Sequence, residues 1–367
     1  MPPKKKTSKL LTVADYQRAA KQRLTRSAYD YYRSGSEQER ALERNERAFA
    51  RYVIWNRVLV DVEERDLSTS VMGFPVASPL LVAPTAYHKL ACADGELATA
   101  RAAEAAGTIY VASTLATTSL EDIASASKSP KFFQLYVHKD RVFTQTLVAR
   151  AEESGYDALV VTVDTPLLGR RLRDERNGFA LPPGLEMANL TSALVDQDGK
   201  DDASLLAHYV ASRHDAAFTW KDLAWLRSLS HLPIILKGIV RVDDAMRAAS
   251  EGVSAVIVSN HGGRQLDSAP ATLDALPGIA DAVSDRMEVY MDGGVRTGDD
   301  VFKALALGAR AVFLGRPVLW GLAVDGQAGV ERVFELLRED LSRTMALAGC
   351  RTLRDIERNM VAPGLPL

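Results

Sequence analysis

The sequence predicts an α/β fold in which eight parallel strands, each followed by a helix, close into a barrel. Three observations carry that reading. Four segments repeat one order: an Ala/Glu-rich helical stretch, a glycine, two or three residues and a short β-branched run. They are ARAAEAAG-TIYVAS ending at Ser113, RAEESG-YDALVVTVD ending at Asp164, MRAASEG-VSAVIVSN ending at Asn260 and KALALG-ARAVFLGR ending at Arg316. The strand runs LLVAP, ALVVTV, AVIVS and AVFLG are almost purely apolar, as parallel strands covered on both faces require. The units recur every 25–30 residues or so, and right-handed crossovers of that length close most naturally into a (β/α)₈, or TIM, barrel. An open doubly wound sheet is the alternative. Against it, no G-x-G-x-x-G follows the first strand and no Walker motif occurs.

In chain order, residues 12–60 read as helical and carry the cluster Tyr29-Asp30-Tyr31-Tyr32. Residues 1–76 are expected to form an N-terminal helical segment, 77–325 the barrel, and 326–367 a C-terminal part with one or two closing helices over 328–358, all in one domain. The strands are Ser78 to Pro84, the run ending at Ser113, Lys131 to Val137, the run ending at Asp164, Pro233 to Gly238, the run ending at Asn260, Glu288 to Gly293, and the run ending at Arg316. Gly107, Gly155, Gly252 and Gly308 stand where a helix C-terminus turns into the next strand. Ser119 with Asp122, and Thr219 with Asp222, have capping-box spacing at helix starts. One gap breaks the rhythm, between Asp164 and Pro233. It contains LPPG at 181–184 and VDQDGKDDAS at 195–204, and reads as an inserted lid loop at about 180–218 followed by a helical return.

At 367 residues, 47% hydrophobic and 25% charged, the chain has the balance of a globular protein with a large core, which excludes disorder as its main character. The 45 Lys+Arg against 47 Asp+Glu give no global electrostatic reason to expect nucleic acid or an anionic membrane as partner. Two cysteines, Cys92 and Cys350, without a C-x-x-C, argue against a disulfide framework and a cysteine-built metal site. No metal is expected, and a reducing cytoplasm fits. Lys4, Lys5 and Lys6 precede no apolar stretch of signal-peptide length and read as a solvated tail, the alternative being a basic targeting patch. No run approaches the ~20 apolar residues needed to span a bilayer. Small-molecule chemistry is left as the expectation.

In such a barrel the active site lies at the C-terminal ends of the strands. Those ends are polar here: Pro84-Thr85-Ala86, Ser113, Gln134 with Tyr136, Thr162 with Asp164, Lys237, Ser259-Asn260-His261, Asp292-Gly293-Gly294 and Gly315-Arg316. Three features are sharper than the rest. Lys237 ends the apolar run PIILKG, where an ammonium needs anionic partners, either as a structural ion pair or in a site. SNHGGRQLD places a general base, His261, three residues from Arg264, whose fork can bind a carboxylate; a helix-capping His is the plainer reading. DGGVRTG and LGRP follow the seventh and eighth strands, the loops that commonly bind phosphate in barrels, with backbone N–H groups on Gly293, Gly294, Gly315 and Arg316 and a cation at Arg296. Tight turns explain the glycines equally well, but not the arginines. A phosphate-anchored cofactor beside a lysine, faced by a His/Arg pair, fits flavin mononucleotide and a 2-hydroxy carboxylate.

At these residues the chain strongly resembles the FMN-dependent (S)-2-hydroxy-acid oxidases and dehydrogenases, from about Tyr16 to the C-terminus. The markers are YDYY at 29–32, APTA at 83–86, FQLYV at 133–137, TVDTP at 162–166, GRR at 169–171, LKG at 236–238, SNHGGRQLD at 259–267 and MDGGVRTGDDVFKALALGARAVFLGRP at 291–317. The resemblance implies His261 as catalytic base with Asp164 bonded to its imidazole. It implies Arg264 and Arg171 on the substrate carboxylate, and Tyr31 and Tyr136 on its carboxylate or 2-hydroxyl. It also implies FMN as cofactor, with Pro84, Thr85 and Ala86 near the flavin edge, Ser113, Gln134 and Thr162 on polar atoms, Lys237 at the N1/O2 side and Ser259 nearby. Asp292 is expected on the ribityl chain, and Gly293, Gly294, Arg296, Gly315 and Arg316 around the phosphate. The implied reaction turns a 2-hydroxy acid into a 2-oxo acid, with O₂ reduced to hydrogen peroxide in the oxidases, and the implied assembly is a homotetramer. The chain departs from the plant glycolate oxidase pattern at Leu115, where those enzymes usually carry Trp. The smaller side chain favours L-lactate or a longer acid over glycolate, unless Tyr87 refills the space. The rival readings are a dehydrogenase passing electrons to a quinone or cytochrome, a non-catalytic flavin- or phosphate-binding barrel, and a phosphate-sugar isomerase.

Overall fold

The computed structural model describes residues 10–190 and 213–364. Among these residues twelve strands run in chain order: β1 (Tyr52–Ile54), β2 (Thr69–Val71), β3 (Phe74–Val76), β4 (Leu80–Val82), β5 (Tyr110–Ser113), β6 (Lys131–Leu135), β7 (Ala158–Thr162), β8 (Ile234–Ile239), β9 (Ala255–Val258), β10 (Glu288–Asp292), β11 (Ala311–Leu314) and β12 (Val361–Pro363). β4 to β11 form a closed parallel barrel in which β11 pairs back onto β4. These are the eight expected strands, each within a few residues of the run that predicted it.

The unbroken apolar runs have a direct cause. Alternate residues of each strand point to opposite faces, and both faces are covered. Leu81, Val111, Phe132, Val160, Ile257 and Phe313 belong to the cluster that fills the barrel interior. Their neighbours, such as Leu80, Phe133, Leu159 and Val312, belong to the larger cluster that meets the surrounding helices. The antiparallel hairpin β2–β3 sends Val71 and Val76 into the interior cluster. The helix starts follow the expected chemistry as well. Ser119 caps Leu120–Ala126 by accepting from the Asp122 N–H at 3.1 Å, and Thr219 with Asp222 forms a capping box.

Before the barrel, the helices are Val13–Arg23, Arg26–Arg33 and Arg40–Ala50, so the expectation of helix through residue 60 fails after 50. The β-branched and aromatic run beginning at Tyr52 instead forms β1, which pairs antiparallel with β12, some 300 residues away in sequence. The helical description of residues 1–76 likewise misses β2–β3, whose turn places Met72 and Gly73 at φ 50° and 82°. After the barrel, the helical span Arg316–Ala348 is two helices separated where Asp325 and Gly326 leave helical geometry: the first starts directly at the end of β11, and the second starts close to the expected residue 328 and ends on Gly349 at φ 75°, short of the expected 358. Most of the expected lid lies outside the described residues, while the helical return behind it is formed by Trp220–Asp222 and Leu223–Ser228. Cys92 and Cys350 are free thiols. Among the described residues no helix is long and apolar enough to cross a membrane.

The helix Gly298–Ala306 packs its first turn so closely on the helix ending at Ala348 that a Cβ on Gly298 would stand 2.1 Å from the Leu341 backbone nitrogen. Backbone cannot swing aside as a side-chain tip can. Gly298→Ala is therefore expected to cost about 1–3 kcal/mol, read as a lower Tm; an unaltered Tm would show that the two helices are free to separate.

Candidate active site

The site is built at the C-terminal ends of the strands. Lys237 on β8 points its ammonium at Asp292 of β10, with Nζ 3.1 Å from Oδ2, and donates to Ser259 Oγ at 2.9 Å. Ser259 Oγ in turn donates to Asp292 Oδ1 at 2.7 Å. Burial alone would push the Lys237 pKa down, but Asp292 and Asp164 outweigh it and the net shift is upward. The ammonium is kept, so the ion-pair reading and the cleft-facing reading of Lys237 both hold.

Gly238, next in the chain, lies at φ 114° where the β8–β9 register shifts. A Cβ there would come within 2.6 Å of Asp164, so glycine is what lets the aspartate close on the strand. Asp164 Oδ1 stands 2.8 Å from His261 Nδ1, and Thr165 Oγ1 donates to the same oxygen at 3.1 Å. His261 itself sits at φ 60°, an unusual backbone for a non-glycine residue. Desolvation and Lys237 draw the His261 pKa down further than Asp164 raises it. For Asp164, desolvation is outweighed by His261 and Lys237, and the carboxyl falls below its usual range. At neutral pH the pair is thus a neutral imidazole on an ionised carboxylate. Nδ1 carries the proton and Nε2 presents its lone pair, 3.5 Å from the Tyr136 hydroxyl.

Opposite the imidazole stand two guanidiniums. Arg264 Nη1 donates to the carbonyl oxygens of Tyr31 and Ser34, each at 2.7 Å. Partial burial, and then the neighbouring Arg171, pull the Arg264 pKa down to about 10. Arg171 is buried, and its Nε and Nη1 have no hydrogen-bond partner among the described residues. Both cations lie over the Tyr31 ring, at 5.9 and 5.0 Å for Arg171 and Arg264 respectively, and that ring stacks on Phe179 at 4.3 Å. Burial raises the phenol pKa of Tyr31 and of Tyr136, so both hydroxyls keep their protons. Unpartnered buried N–H groups beside a second cation call for an anion.

Across the same cleft, Gln134 Nε2 donates to Thr162 Oγ1 at 3.0 Å while its Oε1 accepts from Ser113 Oγ at 3.2 Å, a polar row along the adjacent strands β5, β6 and β7. On the far side, Gly294 lies at φ 85°, and a Cβ there would be 2.2 Å from the Asn45 carbonyl oxygen. Gly315 is the N-cap of the helix that starts at Arg316; Pro317 has no N–H and the Val318 N–H donates to the Gly315 carbonyl at 3.1 Å, so in this first turn the Arg316 N–H has no intrahelical acceptor. Arg296 donates to Glu46 at 3.0 Å and to its neighbour's carbonyl. Arg316 also holds backbone: its Nε, Nη1 and Nη2 donate to the carbonyls of Tyr32, Gly262 and Ser34, which leaves two of its five guanidinium N–H groups, and its backbone N–H, uncommitted by these bonds at the edge of the cleft.

One cleft is lined by every proposed catalytic, substrate and cofactor residue except Asp164 and Ser259, which stand behind His261 and Lys237. Leu115 faces it. Tyr87 is not one of the lining residues; it packs on Tyr31 at 5.4 Å and sends its hydroxyl to Met187 Sδ. Sequence reasoning missed Phe179, Thr165 and His214, the last stacked on Tyr136 at 4.5 Å. Thr165 was legible, standing beside Asp164 in TVDTP. Phe179 and His214 lie within or next to the inserted segment, where no periodicity marked them.

The chain matches the profile of the FMN-dependent dehydrogenases over residues 20–363. It is 49% identical over 352 residues to glycolate oxidase 3 of Arabidopsis thaliana, covering 96% of each chain. It is 52% identical over 357 residues to an L-lactate oxidase of Nostoc sp., covering 96% of this chain and 98% of that one. A solved structure of mandelate oxidase with (S)-4-hydroxymandelic acid superposes with a TM-score of 0.92 at 42% identity, covering 97% of this chain and all of the other. A barrel with this cleft, matched by the profile along nearly its whole length, belongs to the FMN-dependent dehydrogenase family.

Proposed function

We propose that the protein oxidises an (S)-2-hydroxy acid to the 2-oxo acid, with FMN as cofactor and O₂ as final acceptor, giving hydrogen peroxide. The observation that carries the reading is the facing pair: a neutral His261 held by Asp164, opposite Arg171 with two buried N–H groups unpartnered. Relatives named glycolate oxidase and L-lactate oxidase support the choice of oxidase over dehydrogenase.

The cleft fits FMN. The Ser113–Gln134–Thr162 row and the Lys237 ammonium suit the polar edge of a flavin ring, with Pro84, Thr85 and Ala86 along its other edge. Asp292 suits the ribityl hydroxyls, with Ser259 beside it. The glycine turn at 293–294, Arg296 and the helix N-terminus at Gly315 and Arg316 suit the phosphate. When bound, FMN supplies the two-electron acceptor and the route of those electrons to O₂.

The chain's own residues do the rest. Arg171 and Arg264 hold the substrate carboxylate, and the Tyr31 and Tyr136 hydroxyls stand beside them to orient the 2-hydroxyl. His261 Nε2 takes a proton as the substrate loses two electrons, and the imidazolium so formed is stabilised by Asp164 at 2.8 Å. Leu115, with Tyr87 turned away from the cleft, leaves room for a methyl group on C2, which supports L-lactate over glycolate. The reading includes a cytoplasmic setting, supported by the two free thiols, and a homotetramer, supported by the family resemblance alone.

The first test is the flavin absorption of the purified protein. Without oxygen the yellow bands are expected to bleach on adding L-lactate and to return promptly in air. His261→Gln should bind FMN yet stay yellow, with reduction at least about 100-fold slower. Bleaching that persists in air would mean a dehydrogenase, and reduction of His261→Gln at the parent rate would mean another base. The pH profile has a fixed sign. The base acts only when neutral, and desolvation holds its pKa below the ordinary imidazole value of about 6.5. So kcat/KM should be level near neutrality and fall as pH drops through that lowered value; a fall already complete at pH 7 would contradict it. Finally, kcat/KM should favour L-lactate over glycolate, and Leu115→Trp should reverse the order, at about 1–3 kcal/mol per methyl-sized change. Glycolate preferred by the parent would remove the argument from Leu115.

A further inference from the structure

Behind Thr85 lies a buried polar cluster, His88, Thr99 and Glu96, to which the proposed reaction gives no role. Thr85 lines the cleft just past β4, and its Oγ1 stands 2.6 Å from Nε2 of His88. His88 is fully buried, in a short 3₁₀ turn entered through Tyr87 at φ 61°. Its Nδ1 lies 2.9 Å from Thr99 Oγ1, and its backbone N–H donates to Glu96 Oε1 at 3.1 Å. Glu96 is also fully buried and accepts from the Thr117 N–H at 2.8 Å, from the Thr117 hydroxyl at 2.9 and 2.8 Å, and from the Thr118 hydroxyl at 2.8 Å. Four donor groups therefore converge on one carboxylate and lock the turn that carries His88 to the loop after β5.

A buried acid, an imidazole and several hydroxyls are a costly way to fill space that apolar side chains could fill. Thr85 is the member of the cluster that reaches the cleft. A threonine hydroxyl at a strand end is otherwise free to rotate its proton and to exchange rotamers. The bond to His88 removes that freedom, and the Glu96 anchor keeps His88 from following any movement of Thr85.

We propose that His88 is a positioning residue for the FMN-facing wall, which holds the Thr85 hydroxyl in one rotamer and one hydrogen-bond direction so that the flavin meets it with fixed polarity. The inference rests on the FMN reading above. Its action passes through Thr85, so the effect of losing His88 must vanish once the hydroxyl is gone.

The test is a double-mutant cycle on the holoenzyme, read as the FMN dissociation constant and the midpoint potential of bound FMN. His88→Leu and Thr85→Val are each expected to weaken FMN binding about five- to tenfold, the worth of one hydrogen bond, and to shift the potential in the same direction. The double variant is expected to be no worse than either single one. His88→Gln, whose amide reaches a similar depth and can bond the hydroxyl, should return affinity to within about twofold of the parent. Should His88→Leu fail to fold, His88→Asn replaces it, polar but too short to reach Thr85. The proposal is overturned if the two single effects multiply in the double variant, if loss of His88 leaves both quantities unchanged, or if His88→Gln folds normally without rescue. A parent that takes up no FMN overturns the functional reading and this one with it; multiplied effects on a fully loaded parent overturn this one alone.

Discussion

Arg264 and Arg316, from the loops after the sixth and eighth barrel strands, donate to the carbonyl oxygens of Tyr31, Tyr32 and Ser34. Those oxygens belong to the last turn and cap of the helix Arg26–Arg33, where carbonyls have no partner within the helix. The two guanidiniums thus convert an open helix end into a joint between the N-terminal segment and the mouth of the barrel. Ser36 N–H to the Gly263 carbonyl, and the reciprocal amide pair of Asn45 and Asn260 at 2.8 Å, extend the same joint. Tyr31 is delivered to the cleft by this contact, and Asn45 is pressed against the glycine turn at 293–294 by it. Without the joint the barrel would keep its strand ends but lose one wall of its site.

The electrostatics of the cleft follow from what that wall adds. Around His261 the cleft has three positive charges, from Lys237, Arg171 and Arg264, while Asp164 and Asp292 supply two negative ones and the imidazole is neutral. In surroundings this desolvated an unmatched cation is expensive, and the depressed pKa of Arg264 is one sign of the strain. A carboxylate arriving beside Arg171 relieves it. The acids are not interchangeable: Asp292 answers Lys237 through the shared Ser259 hydroxyl, whereas Asp164 is committed to His261, where it can stabilise a proton only after the imidazole has taken one. Base strength and cofactor-side charge are thereby set by separate carboxylates on opposite sides of one lysine.

The barrel was legible because its signals are local and repeated. Each strand is short and apolar on both faces, and four of the eight are preceded by a helix-ending glycine, so many weak indications agreed. The strand-end residues were legible for the same reason, since the fold places them together whatever the loops do. Other parts failed where partners lie far apart in sequence. β1 reads as a continuation of helix until Val361–Pro363 comes alongside to pair with it. Arg316 reads from sequence as a phosphate ligand only, and the helix end that its side chain also holds comes into view with the tertiary structure. Phe179 behind Tyr31, and His214 on Tyr136, carry no pattern, because ring stacking needs only proximity that tertiary structure creates.

The architecture and the set of polar strand ends could be read from the chain alone, because period, glycine placement and side-chain chemistry are properties of short segments. The tertiary structure decided which of those groups are free to act. Whether a guanidinium holds backbone or awaits an anion, whether an imidazole is neutral, and whether a tyrosine fills the cleft or stands behind it all depend on burial and on contacts between residues a hundred or more positions apart. Free energies of that kind come from exclusion of water and from long-range partners, and no local stretch of chain contains them.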